Sequence, residues 1–120
     1  MKKIIMIVLF FMQTLKSQDI APLNMKMETV KGEKTTLLEL KKENPILISF
    51  WALWCAPCKF ELKILQKLHD LLSAKGVTIV AINIDSPKST AKVRAYISTQ
   101  KYSLPILLDP NSKLFQMIFR

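Results

Sequence analysis

The hydrophobic positions of this chain alternate between continuous apolar runs and runs with helical spacing. Ile46–Trp51 and residues 77–85 are rich in isoleucine, valine and other apolar side chains, which predicts two buried strands. Between them, residues 57–75 place leucines three or four positions apart and end before a glycine, as an amphipathic helix does. Ser86 and Pro87 then predict the start of a further helix. This alternation of strand and helix predicts an α/β domain.

The segments on either side of this centre carry weaker signals. Residues 18–34 are polar and irregular, although two methionines alternate with polar neighbours as in a short edge strand. Residues 35–40 fit either a second short strand or a helical turn. Residues 104–108 form a short extended run, and apolar residues at helical spacing follow over 114–119. Strand and helix signals therefore continue to the end of the chain.

The first 17 residues show the three-part pattern of a secretory signal peptide. A positive start at Lys2 and Lys3 is followed by an apolar run over 4–12 and a polar stretch that ends on the small residue Ser17. That run is roughly half of the about 20 residues that a membrane-spanning helix needs. We therefore expect export. The chain divides into a signal peptide at 1–17, an N-terminal extension at 18–34 and the α/β domain at 35–120.

Composition excludes several classes of protein. The chain has 120 residues, a formal net charge of +9, two cysteines and two glycines. Two cysteines are too few for a secreted fold held by several disulfides or for a zinc site of four cysteines. Two glycines cannot form a glycine-rich phosphate-binding loop. The lysines are scattered and no aromatic residues interleave with a basic stripe, so the charge does not indicate a nucleic-acid partner.

Both cysteines lie where the first predicted strand gives way to its helix, within the sequence WALWCAPC. Cys55 falls at the helix N-terminus, where free N–H groups and the positive end of the helix dipole favour a thiolate. Thiols in such places titrate at about 3.5–7.5 instead of about 8.5. Pro57 supplies a backbone already suited to the first helical turn. We therefore predict Cys55 as the nucleophile and Cys58, one turn into the helix, as the resolving thiol.

Other uses of the cysteine pair stay open from the residues alone. A zinc or copper site would need further ligands, and His69 is the single histidine of the chain. A purely structural disulfide is disfavoured because the entropy gained by cross-linking grows with loop length, and this loop is short. Redox chemistry is the favoured interpretation. The alternatives are a non-catalytic or inactive fragment and a thiol-based metal-binding module.

Residues 46–61, with the sequence ILISFWALWCAPCKFE, resemble the active-site segment of TlpA/ResA-like thiol–disulfide oxidoreductases, which are related to the redoxin and AhpC/TSA group. The resemblance continues through VTIVAINID and YSLPILLDPNSKLFQMI and covers most of residues 32–119. It implies a thioredoxin-like fold with a central mixed sheet flanked by helices, a place in the periplasm or cell envelope, and no cofactor. Members usually reduce protein disulfides, for instance during cytochrome c maturation, with electrons from a membrane-embedded donor.

Glu61 is the predicted acid of the site. It lies three residues after Cys58 and shares a helical face with Leu65, Leu68 and Leu72. That spacing directs its carboxylate inward, where burial would favour the protonated form and make Glu61 a proton acceptor for the resolving thiol. The resemblance supports this role, since a glutamate here is typical of the family. An exposed first-turn acid that complements the helix dipole is the alternative.

The resemblance also assigns the surroundings of the cysteines. Ser49 stands where ordinary thioredoxins keep a buried aspartate, which would leave Glu61 as the only nearby acid. Trp54, Ala56 and Pro57 are predicted to line a substrate groove, with the tryptophan as its apolar lip. The expected partners are proteins that carry a reactive dithiol or disulfide.

Thioredoxin-fold proteins place a cis-proline opposite the cysteine pair, and Pro105 is one candidate for it. Residues 104–109 and the helix after them are a better match to the insert that precedes the cis-proline in TlpA/ResA-like proteins. On that interpretation the C-terminal hairpin and the last helix are missing, and the strands at 46–51 and 77–85 keep an unpaired edge. We therefore expect the 120-residue chain, expressed alone, to be poorly stable or to aggregate.

Overall fold

A computed structural model describes residues 21–119. The expected signal peptide at 1–17 lies outside these residues. The strands are β1 (Met27–Thr29), β2 (Lys34–Thr35), β3 (Ile46–Trp51), β4 (Thr78–Asn83) and β5 (Ile106–Leu108). The α-helices are α1 (Leu37–Lys41), α2 (Ala56–Leu72), α3 (Thr90–Gln100) and α4 (Lys113–Ile118). Short 3-10 turns occupy Ala21–Asn24, Ser73–Lys75 and Pro87–Ser89.

All the described strands join one mixed sheet in the order β2-β1-β5-β4-β3. β3, β4 and β5 are parallel, whereas β1 is antiparallel to both of its neighbours. The predicted α/β architecture with a mixed central sheet is therefore confirmed. Because β1 lies between β2 and β5, the sheet begins at Met27, inside the expected N-terminal extension at 18–34. Residues 35–40, which fitted either a strand or a helical turn, contain both the end of β2 and most of α1.

Parallel pairing brings the ends of β3 and β4 together. Their register aligns Ile46 with Thr78 at one end and Trp51 with Asn83 at the other. The carboxyl ends of parallel strands share one edge of a sheet, which is where α/β proteins place their functional sites. The cysteine-containing loop after β3 and the residues after β4 therefore lie side by side.

The sheet is covered on both faces. Along β4 the side chains alternate, with Ile79 and Ala81 in one core cluster and Val80 and Ile82 in the other. The first core cluster packs the sheet against α2 and α3, through buried residues that include Trp51, Leu62, Leu65, Val93 and Ile97. The second packs the sheet against α1 and α4 and consists of Met27, Leu37, Val80, Ile82, Leu107 and Leu114.

An ion pair connects β1 to α3. The Arg94 guanidinium donates to the Glu28 carboxylate and to the Val30 carbonyl, and Lys34 also binds Glu28. The hydrogen bond from Arg94 and the charge of Lys34 lower the pKa of Glu28 below its ordinary value. This contact ties β1, which pairs with β2 and β5, to the helix α3.

The residues after α3 form the predicted short strand and the helix that follows it. The peptide bond before Pro105 is trans, since the described residues contain no cis peptide bond. β5 lies inside the sheet and α4 follows it. α4 covers part of one face of the sheet, where Phe50 packs edge-on against Phe115 and Phe119 at 5.2 and 5.7 Å between ring centroids.

The outer edge of β3 has no neighbouring strand within residues 21–119. Leu47, the second residue of β3, is 42% exposed. The unpaired edge expected from the sequence is therefore present at β3, whereas β4 is paired on both sides. Over the same residues no helix is both long enough and apolar enough to cross a membrane.

Candidate active site

The loop between β3 and α2 turns tightly after a buried strand end. Trp51 and Ala52 are each 1% exposed, so the loop leaves directly from the first core cluster. The Cys55 N–H group donates to the Ala52 carbonyl at 3.1 Å, which closes the turn and delivers Cys55 to the start of the helix. The predicted placement of the first cysteine at a helix N-terminus is confirmed.

Cys55 and Cys58 form a disulfide with their Cα atoms 5.2 Å apart. Cys55 is the N-cap of α2, and its sulfur accepts the backbone N–H of Cys58 at 3.3 Å. Pro57 has no N–H to direct at the cap, so the N–H of Cys58 is the helix donor aimed at the Cys55 sulfur. The same donor would face a Cys55 thiolate in the reduced protein and would favour its charge.

The two cysteines differ in their surroundings. Both are half-buried, but Cys58 packs against the first core cluster and Cys55 is not part of it. Trp54 is 76% exposed, and Ala56 and Pro57 are also exposed. The residues predicted for the substrate groove thus form an open surface around the disulfide. Clefts of 560 and 400 Å³ lie elsewhere, along β1, α3 and α4, and neither cysteine lines them.

Glu61 faces the sheet but is not buried. Its carboxylate accepts a hydrogen bond from the Ser49 hydroxyl at 2.9 Å, so the helical row directed it towards β3 as expected. The expected burial is wrong, since Glu61 is exposed. The physical reason is that β3 is the outermost strand of the sheet, and within residues 21–119 no further strand lies beyond it to cover this flank of α2. The structure thus joins Ser49 and Glu61 by a hydrogen bond that the sequence did not predict.

A second acid was missed by the sequence analysis. Asp85 is 7% exposed and accepts the backbone N–H of Leu53 at 2.8 Å, two residues before Cys55. The expectation that Glu61 is the only nearby acid is therefore wrong. A signal was present in the sequence, because Asp85 closely follows the strand parallel to β3, and the ends of such strands meet.

Two ring nitrogens near α2 are buried without a hydrogen-bond partner in the described structure. The Trp51 ring packs at 5.9 Å from that of Tyr96, and the Trp51 Nε1 atom is buried without a hydrogen-bond partner in the described structure. His69 is half-buried on α2, and its Nδ1 atom also has no partner there. Within residues 21–119, no three histidine, cysteine, aspartate or glutamate side chains are grouped as metal ligands.

The family model described as AhpC/TSA family matches residues 18–118. The chain belongs to the AhpC/TSA family. Curated relatives share its sequence over shorter spans. The thioredoxin-like protein YneN of Bacillus subtilis is 38% identical over 84 residues, which are 69% of this chain and 48% of the relative. Sporulation thiol-disulfide oxidoreductase A of the same organism is 30% identical over 105 residues, 87% of this chain and 62% of the relative.

Thiol-disulfide oxidoreductase ResA of Halalkalibacterium halodurans is 31% identical to this AhpC/TSA-family chain over 86 residues, 72% of the chain and 47% of the relative. The chain spans between 47% and 62% of the length of these three curated relatives. The resemblance to TlpA/ResA-like thioredoxin-fold proteins is thereby confirmed.

Solved structures agree with this assignment. The crystal structure of StoA from Bacillus subtilis matches with a TM-score of 0.62 at 27% identity, over 80% of this chain and 71% of that one. A secreted Mycobacterium tuberculosis disulfide oxidoreductase homologous to E. coli DsbE matches with a TM-score of 0.68 at 20% identity, over 81% of this chain and 69% of that one. This AhpC/TSA-family chain therefore has a thioredoxin-like fold.

Proposed function

We propose that this chain is an exported thiol–disulfide oxidoreductase that reduces disulfides in other proteins. The observation that carries the proposal is the Cys55–Cys58 disulfide at the N-terminus of α2, with the Cys55 sulfur on the N–H of Cys58. Two cysteines at this place need no further residue to accept or return an electron pair. The thiol-disulfide oxidoreductases among its relatives support the same chemistry.

The reaction starts from the reduced protein. The Cys55 thiolate attacks one sulfur of a substrate disulfide, that S–S bond breaks, and the departing substrate thiolate takes up a proton. Cys58, after losing its proton, attacks the Cys55 sulfur and releases the second substrate sulfur as a thiolate. The substrate gains two electrons, and the protein is left with the Cys55–Cys58 disulfide seen in the structure.

The shape of the site favours a protein substrate. The disulfide lies on an open surface beside Trp54, Ala56 and Pro57, all of which are exposed. An enclosed pocket is the usual place for a small molecule, whereas an extended polypeptide segment can lie across an open apolar surface. We assign these three residues to the substrate groove.

Glu61 is proposed to receive the proton of Cys58. It lies one turn after Cys58 on α2, and the Ser49 hydroxyl orients its carboxylate. Because the carboxylate is exposed, it can pass the proton on to solvent.

Replacing Glu61 should slow the second step of the reaction. We expect Glu61→Gln to retard release of a mixed disulfide between Cys55 and glutathione by about tenfold or more below neutral pH, because the proton acceptor is lost. Rapid acid quench and mass spectrometry over a pH series give this rate. Glu43→Gln, at an exposed site between α1 and β3, is the matched control. An unchanged pH profile in Glu61→Gln would remove the acid from the mechanism.

Export and re-reduction complete the proposal. The lysine-led apolar run over 4–12 supports export to the periplasm or cell envelope. Each turnover leaves the protein oxidised, so a donor of two electrons must restore the dithiol. We assign that role to a membrane-embedded donor, as the resemblance to TlpA/ResA-like proteins implies.

Insulin reduction tests the proposed function. The full chain with dithiothreitol should accelerate precipitation of the insulin B chain well above the rate with dithiothreitol alone, and Cys55→Ser should return the rate to that background. The reason is that every electron pair passes through the Cys55 sulfur. A wild-type rate equal to background, measured on folded protein, would instead favour the non-catalytic or metal-binding alternative.

A further inference from the structure

A nearly buried carboxylate lies directly behind the loop that carries Cys55. Asp85 follows β4, and its Oδ2 atom accepts two hydrogen bonds, from the Leu53 N–H at 2.8 Å and from the Asn83 side-chain amide at 2.7 Å. In return, the Asp85 N–H donates to the Asn83 side chain at 3.0 Å. The ion pairs found among residues 21–119 both involve Glu28, so Asp85 has no cationic partner there.

Burial of an unpaired carboxylate is costly unless hydrogen bonds compensate for the lost water. Among the described residues, Asp109 is the one other buried acid, and it has an ordinary structural role. Asp109 is 3% exposed and accepts the N–H groups of Lys113 and Phe115, at the start of α4. Asp85 does not cap a helix in this way. The backbone N–H group that it accepts belongs to Leu53, which is 32 positions away in the sequence.

Leu53 is the centre of the loop that positions the nucleophile. The loop begins at the buried Ala52, whose carbonyl accepts the Cys55 N–H, and ends where the Cys55 sulfur receives the N–H of Cys58. Asp85 fixes the backbone between these two contacts. If Leu53 moves, Cys55 moves as well, and its sulfur loses the donor that favours the thiolate.

We propose that Asp85 is a positioning residue for the thiol–disulfide reaction, which holds the Leu53 N–H so that Cys55 caps α2. This inference rests on the proposed function. Its two tests nevertheless measure the Leu53 amide and the Cys55 thiol directly, and neither requires catalytic turnover.

Hydrogen exchange in the unaltered chain is the first test. The Leu53 amide should exchange at least about tenfold more slowly than the neighbouring Trp54 amide, because opening a hydrogen bond to a charged acceptor precedes exchange. Two-dimensional NMR resolves both amides in the oxidised protein. Equal exchange of Leu53 and Trp54 would overturn the proposal, and this test requires no variant to fold.

Cysteine alkylation is the second test, in a Cys58→Ser background where Cys55 is the single thiol. We expect Asp85→Ala to raise the pH midpoint of iodoacetamide alkylation and to lower the rate at neutral pH by about two- to tenfold, since about one hydrogen bond to the thiolate is lost. Asp85→Asn retains an oxygen for the Leu53 N–H and should restore most of the rate. Asp109→Ala, the matched control at the other buried aspartate, should lower the melting temperature without moving the midpoint.

Three results would overturn the proposal. They are an unshifted midpoint in folded Asp85→Ala, an equal shift in Asp109→Ala, and a shift in Asp85→Asn as large as that in Asp85→Ala. If Asp85→Ala does not fold, the exchange measurement decides. If the unaltered chain fails to reduce insulin while Asp85→Ala still shifts the alkylation midpoint, the proposed function is wrong and the role of Asp85 stands.

Discussion

Cys58→Ser should accumulate a covalent mixed disulfide between Cys55 and a protein substrate. The serine hydroxyl cannot attack the Cys55 sulfur, so the first exchange proceeds and the second does not. The Cys58 backbone N–H that faces the Cys55 sulfur is unaffected by this change, and the nucleophile therefore keeps its helix donor. Non-reducing electrophoresis and mass spectrometry of the reduced variant, incubated with an oxidised model protein, detect the adduct.

The reciprocal variant provides the control for this prediction. Cys55→Ser leaves Cys58 packed against the first core cluster, where a protein disulfide has poorer access. We expect adducts to be at least about tenfold fewer than with Cys58→Ser, because thiol exchange depends on access as well as on thiolate content. Equal adduct yields from the two variants would abolish the assignment of nucleophile and resolving thiol, and a greater yield from Cys55→Ser would reverse it.

The second large effect concerns the open edge of β3. This strand is ILISFW, with no charge along its length, and its outer backbone groups have no partner strand within residues 21–119. Natural proteins guard such edges with lysine or proline because an unguarded edge pairs with other chains. We expect the 120-residue chain to associate at micromolar concentrations, and Leu47→Lys to raise severalfold the concentration at which association begins.

A charge placed elsewhere separates edge pairing from general hydrophobicity. Leu71 is 66% exposed on α2, so Leu71→Lys adds the same charge and removes a similar apolar surface without touching the strand. Sedimentation velocity across a concentration series measures both variants. Equal improvement from the two would mean that exposed apolar side chains cause the association. A monomeric wild-type chain with a cooperative melt would contradict the expectation altogether.

Local signals explain why so much of the site could be predicted. β3, α2 and the place of Cys55 between them follow from an apolar run, a helical period and Pro57, all within neighbouring residues. The helical part of residues 35–40 was also signalled. Thr36 accepts the Glu39 N–H at 3.0 Å while the Glu39 carboxylate accepts the Thr36 N–H at 3.3 Å, a capping box that the spacing of threonine and glutamate encodes.

Features that depend on strand order were harder to predict. The burial of Glu61 was misjudged because helical period gives the side of α2 it occupies but not whether a further strand covers that side. The contact between Asp85 and Leu53 depends on β3 and β4 being neighbours in register, which neither segment specifies alone. Both outcomes are tertiary, and they decide the acid–base surroundings of the cysteines.

Asn83 connects two turns at this end of the sheet. Its side chain binds Asp85, and its carbonyl accepts the backbone N–H of Asp109 at 2.8 Å, where the segment leading to α4 begins. Asn83 thus contacts both Asp85, which binds the loop of the nucleophile, and the turn that precedes α4. The contacts found for the Asp109 side chain are with the start of α4 and not with the cysteine loop, so in the folded protein its loss should leave Cys55 undisturbed. On heating, however, opening of either turn removes a neighbour of Asn83. We therefore expect the temperature at which the cysteines lose their geometry to depend partly on α4, which is distant from them in the sequence.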